Sequence, residues 1–189
     1  MNWYGLTFIY GQKRFQYSRK TAIPGVSEED FLSGGPLRWP SKAHAITAAS
    51  QRSHPLRNLL PNEKGELIVS GDVKEAIEKH GLRGFAFYPI QLISPRKKPI
   101  AQYWFLRFLE SRPVLNLKAS NYDRYEKDEP RAGDICAVWD YVLQPSALSG
   151  IDGVRCAEFS VAVFVSERFK QATERLKAFS FIGPVKIQA

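Results

Sequence analysis

Three histidines, His44, His54 and His80, and two cysteines, Cys136 and Cys156, are the side chains in this 189-residue chain best suited to moving protons or attacking an electrophile. They are scattered. His80 closes a helical pattern, where a positive side chain suits the negative end of the helix dipole. Cys136 sits between Ile135 and Ala137-Val138 and reads as a small buried residue, although a Cys136 nucleophile served by a distant histidine stays open. Asp134, Asp140 and Asp152 have no metal-ligand spacing, and neither have the cysteines, so no metal and no cofactor is expected. No P-loop, GxGxxG, HExxH or GxSxG string occurs. An enzyme is therefore the third reading of the chain.

Two serines could also be nucleophiles, Ser70 and Ser166, but their surroundings favour another role. Each ends an apolar run and opens a helical pattern, where its hydroxyl can accept from an unpaired N–H of the first turn. Capping explains both, and no His–Asp pair recurs beside them.

These serines belong to a segment that occurs twice. Val69-Ser70-Gly71-Asp72-Val73-Lys74-Glu75-Ala76-Ile77-Glu78-Lys79 is answered by Val165-Ser166-Glu167-Arg168-Phe169-Lys170-Gln171-Ala172-Thr173-Glu174-Arg175. Phe85 to Leu92 is then answered by Phe179 to Ile187, with a shared Phe-x-Phe and a following proline. Val73, Ala76 and Ile77 in one copy, and Phe169, Ala172, Thr173 and Leu176 in the other, form an apolar stripe at helical spacing. Each copy reads as strand, capped helix, strand, one supersecondary unit used twice.

The rest of the chain is strand-rich. Trp3 to Tyr10 alternates as a strand, Gly11 to Lys13 turns, and Phe15 to Tyr17 reads as a hairpin return. Ser27 to Leu32 resembles a short helix, residues 33–66 are loop-heavy, and a helix is expected near Ala43–Ser50. Gln102 to Leu109, Arg112 to Leu117, Ile135 to Leu143 and Val161 to Val165 are expected strands. The fold class is α+β, with mixed or mainly antiparallel sheets and few helices. The proline-flanked 95–99 loop divides an N-terminal half, 1–98, from a C-terminal half, 99–189, each holding one unit, either as two lobes or as one compact domain.

Composition sets the class. With 44% hydrophobic and 13% aromatic residues the chain can bury a real core. No signal peptide and no apolar run of about 20 residues is visible, and two cysteines fit a reducing compartment, so a cytoplasmic protein without a membrane partner is expected. Net charge is +8 and uneven: +5 over residues 1–60, +4 over 61–120 and −1 over 121–189. Arg96-Lys97-Lys98 is the densest basic cluster, Lys13-Arg14 and Arg19-Lys20 are further basic pairs, and Asp123 to Glu129 is an acidic-rich loop. Basic surfaces with many aromatics are the material of nucleic-acid binding, but no helix-turn-helix, zinc finger or RNP-like string is present. A basic nucleic-acid-binding module is the second reading.

The order Tyr103-Trp104-Phe105-Leu106, Val114 to Tyr122, Ile135 onward, Phe159, and Val165 to Ala172 resembles a family of bacterial immunity proteins, once a domain of unknown function. The resemblance covers about residues 100–189. It implies an α+β protein, encoded beside a polymorphic toxin, that neutralises this toxin by binding and occlusion and carries no catalytic residues. The basic surplus of residues 1–120 then predicts a cognate toxin with an acidic contact surface, which argues against a nuclease. Arg38 and Trp39, Arg96, Lys97 and Lys98, and Tyr122, Arg124 and Tyr125 are the candidate partner-binding residues, because exposed aromatics and arginines dominate hot spots. Trp3, Trp104 and Trp139 lie in apolar or strand-like runs and are expected to pack.

Overall fold

Alternating and helical apolar patterns resolve, in the computed structural model, into fourteen strands and two α-helices among the described residues, which are 1–7, 30, 35–40, 44–46, 58–60, 66–94 and 96–188. The expected end of the first strand, the hairpin return at Phe15–Tyr17, the basic pairs at 13–14 and 19–20, and His54 lie outside them, as does the helix at 27–32 apart from helical Asp30.

In chain order the elements are β1 (Trp3–Thr7), β2 (His44–Ile46), β3 (Leu59–Leu60), β4 (Ile68–Val69), α1 (Gly71–Lys79), β5 (Phe85–Ile93), β6 (Pro99–Phe108) and β7 (Ser111–Arg112). There follow β8 (Asn121–Arg124), β9 (Ile135–Asp140), β10 (Val142–Leu143), β11 (Gly153–Cys156), β12 (Val163–Ser166), α2 (Glu167–Thr173), β13 (Ser180–Ile182) and β14 (Lys186–Ile187). One sheet has the order β2-β5-β6-β4-β3 and the other β13-β1-β12-β11-β7, and both are antiparallel except at β2/β5 and β11/β7. Two small pairs, parallel β10–β14 and antiparallel β8–β9, complete the α+β architecture.

The two strand–helix–strand segments share one topology. The strands flanking α1, β4 and β5, are not neighbours: β6 lies between them, antiparallel to both. The strands flanking α2, β12 and β13, are likewise separated by β1. Side chains from both helices and both sheets meet in the central core, including Val73 and Ile77 of α1, Phe169 of α2, Phe108 of β6 and Val165 of β12. Strand alternation sends Phe164 and Trp3 to a second core with Val114, Leu115, Ile135 and Val154. A third, with Leu60, Ile68, Ile90, Leu92 and Tyr103, lies on the other face of the first sheet.

A buried carboxylate fastens the first unit to the second sheet. Asp152 accepts from Arg83 N–H (3.0 Å), from the Ser166 hydroxyl (2.8 Å) and from Arg168 Nη1 (3.0 Å), while Arg168 Nη2 donates to the His80 carbonyl (2.8 Å). Beside it the backbones touch. A Cβ on Gly84, whose φ is +97°, would stand 2.6 Å from the Gly153 carbonyl oxygen, and one on Gly153 would stand 2.3 Å from the Phe85 ring.

Several expectations need correction. Ser166 caps α2, its hydroxyl accepting from Phe169 N–H (3.3 Å), but Ser70 does not cap α1 with its side chain. Its hydroxyl donates to Asn58 Oδ1 (2.6 Å), a better acceptor brought in beside β3. The helix expected near 43–50 is contradicted at 44–46, where β2 pairs with β5, His44 opposite Gln91: sheet pairing overrides alanine-rich helix propensity. The strand expected over Phe179–Ile187 is two, because after Gly183-Pro184 the chain leaves β13 to pair β14 with β10. β5 and β6 pair as antiparallel neighbours, and where they approach each other Ser94 N–H donates to the Lys98 carbonyl (2.8 Å). No helix among the described residues is long and apolar enough to cross a membrane.

Candidate partner-binding surface

The β8–β9 ribbon carries three of the sequence candidates and one residue that sequence reasoning placed elsewhere. Its register holds two irregularities. Tyr122 pairs with Val138 and Asn121 with Asp140, which leaves Trp139 as an extra residue, and Cys136 is passed over between Ile135 and Ala137. Such bulges re-aim side chains. Ile135 and Val138 both reach the second core despite their three-residue spacing, Tyr122 packs there with them, and Trp139 is turned outward. The expectation that Trp139 packs is thus contradicted: it is 66% exposed, and its indole Nε1 donates to Asp123 Oδ2 (2.8 Å).

The loop after β8 is closed by its own backbone. Tyr125 N–H donates to the Asp134 carbonyl (3.0 Å), and Gly133 N–H donates back to the Tyr125 carbonyl (3.2 Å). Arg124 donates to the Gly133 carbonyl, and its guanidinium lies 5.1 Å from the centre of the Tyr122 ring. Arg131 lies 5.4 Å from the centre of the Tyr125 ring and pairs with Asp134 at 3.1 Å. Tyr122 and Tyr125 are both half-buried, while Arg124 is exposed.

The remaining candidates lie on the first sheet. Arg107 Nε donates to the Gly35 carbonyl (2.6 Å) and Leu37 N–H to the Tyr88 hydroxyl (2.7 Å), which lays residues 35–40 over β5 and β6. Trp39 then stacks on Phe105 (centroids 5.7 Å apart, rings 3° from parallel), and its Nε1 donates to the Pro89 carbonyl (2.7 Å). It is half-buried, whereas Arg38 beside it is exposed. Arg96, Lys97 and Lys98 are exposed at the hairpin tip, where Ser94 N–H donates to the Lys98 carbonyl (2.8 Å) and Lys97 takes a φ of +59°. From Pro89 the strand runs four residues to its end at Ile93, about 13 Å, before the basic tip. Arg38, Trp39 and the tip therefore share one hairpin, and Tyr122, Arg124 and Tyr125 share a separate ribbon.

The groups with catalytic potential are dispersed. Cys136 is half-buried on β9 instead of buried. Cys156 is buried, and burial, then the Glu158 charge, push its thiol up to about 12. Glu158 itself accepts from the Val114 and Leu115 N–H groups (3.1 Å each) and lines a groove of about 990 Å³ with Leu115, Asn116, Lys118, Gln144 and Ser146. His80 ends α1 with its Nδ1 2.8 Å from the Ala76 carbonyl oxygen. Asp134 lies in the ribbon loop, Asp140 at the end of β9 and Asp152 in the buried network. Among the described residues no three His, Cys, Asp or Glu side chains gather as metal ligands.

The spacing of Ile135 and Val138 was the signal available for Trp139: two apolar residues three apart cannot share a face of a regular strand.

Comparison with curated proteins gives no match. A family model described as Immunity protein family (Imm11) matches residues 10–185, which extends the similarity seen over residues 100–189 through nearly all of the first half. The chain belongs to this immunity protein family.

Proposed function

We propose that the protein binds a cognate bacterial toxin and neutralises it by occlusion, without a catalytic step. The observation that carries this reading is the family match over residues 10–185. The geometry supports it in kind: aromatic and arginine side chains are displayed on a ribbon and a hairpin whose loops are closed by backbone hydrogen bonds, so little ordering is left for binding to pay for. The protein works in the cytoplasm of the cell it protects, and its partner is a polymorphic toxin used between competing bacteria. The contact residues are Arg38, Trp39, Arg96, Lys97, Lys98, Tyr122, Arg124 and Tyr125. Tyr122 acts from beneath, as the ring on which Arg124 rests. The three cations at the hairpin tip meet an acidic patch on the toxin. The halves 1–98 and 99–189 each contribute one strand–helix–strand unit to this scaffold.

Tagged protein recovered from its native cells at low and at high salt tests the reading. It requires one stoichiometric protein partner, the toxin encoded beside it, retained in high salt. Nucleic acid that washes away steeply with salt would favour the nucleic-acid-binding module instead.

A further inference from the structure

We propose that Trp139 and the carboxylates around it form a second docking surface, for a basic patch on the toxin, separate from the cationic hairpin tip; this rests on the immunity reading above. Three observations converge on the outer face of the ribbon. The first is the bulge. It keeps Ile135 and Val138 in the core while holding an indole in solvent at 66% exposure, a position that a regular strand would not require. The second is orientation. The indole N–H is bound to Asp123, so the ring is fixed before any partner arrives, and a pre-ordered tryptophan is the residue type that most often anchors an interface.

The third is charge. Residues 121–140 hold six acidic and three basic side chains in a chain whose net charge is +8. Two of the three bases are engaged within the ribbon, Arg124 on the Gly133 carbonyl and Arg131 on Asp134. Asp140, which follows Trp139 in the chain and is exposed, has no ion-pair partner among the described residues. The tryptophan therefore stands in a negative field, and the surface that complements it is apolar at the centre and basic at the rim. The whole-chain surplus, which points to an acidic partner surface, does not describe this face.

The test measures binding of the full-length protein to a catalytically inactivated form of the toxin encoded beside it, at two salt concentrations. Trp139→Ala should weaken binding about 30-fold or more, the scale of a hot spot, with unchanged thermal stability because the side chain is exposed. Asp140→Lys should slow association and flatten its salt dependence. Wild-type binding with Trp139→Ala binding equally tightly would overturn the anchor and leave the immunity reading intact. Loss on Trp139→Ala with no change on Asp140→Lys would overturn the basic partner surface. A folded wild-type protein that does not bind this toxin would overturn the immunity reading itself, and the docking surface with it.

Discussion

Replacing Asp152 by alanine should cost about 3 kcal/mol, and the sum follows from what its carboxylate touches. Asp152 is 2% exposed and Ser166 is fully buried. The substitution strands the buried Ser166 hydroxyl, at about 1–3 kcal/mol, and removes the acceptor of the part-buried Arg83 N–H, at about 1 kcal/mol. The Arg168 side chain is 52% exposed, so its ion pair with Asp152 is screened and adds only about 0.5 kcal/mol. With a urea dependence of about 2 kcal/mol per molar, the unfolding midpoint should fall by about 1.5 M. Arg168→Ala, which leaves the Ser166 hydroxyl and the Arg83 N–H satisfied, should cost about 1 kcal/mol. Urea unfolding followed by tryptophan fluorescence reads both. A midpoint shift under about 0.3 M for Asp152→Ala, or an equal loss for Arg168→Ala, would refute the reasoning that donor satisfaction, and not the ion pair, fastens the first unit to the second sheet.

Gly153→Ala should destabilise by about 1–3 kcal/mol or more, because its methyl would meet the Phe85 ring at 2.3 Å and that ring is wedged against Phe108 and Phe169; thermal unfolding checks it. Glu167 accepts from the Tyr4 hydroxyl (2.5 Å), which holds its carboxyl below the usual glutamate value. A depressed carboxylate contributes stability above its unfolded value and loses it as pH falls through the folded one, so Tyr4→Phe should lower Tm at pH 7 and the gap to wild type should close below about pH 4.5. A gap that persists unchanged at pH 3 would exclude the hydrogen bond as its source. A thiol reagent at pH 8 should label the native protein once, at Cys136, and label Cys156 only on unfolding, since burial keeps that thiol protonated up to about 12; mass spectrometry of the labelled peptides decides.

Local pattern carried the sequence reading furthest where neighbours in the chain are also neighbours in space. Helices α1 and α2 were legible because Val73/Ile77 and Phe169/Thr173 repeat at one turn and are buried as that spacing requires. Both helix starts were legible, and so was the cap made by Ser166, but the work of Ser70 was not: Asn58, twelve residues before it, takes its hydroxyl, and nothing local announces this. The strand that separates the flanking strands of each unit was equally out of reach, since β1 comes from the far N-terminus and β6 from beyond the unit. Prolines punctuate linkers and hairpins alike, so the prolines at 95 and 99 did not announce that β5 and β6 pair as neighbours. At the candidate surface, the basic tip followed from composition, whereas the exchange of roles between Tyr122 and Trp139 depends on bulges that shift the alternation of β9 by one residue at a time.

The most direct test of the central claim is a titration of the toxin's own activity with the purified protein. Occlusion predicts a linear loss of activity that ends at one equivalent of protein, with both chains recovered unmodified in one complex. Inactivation by a small fraction of an equivalent, or full toxin activity in the presence of excess folded protein, would contradict the account.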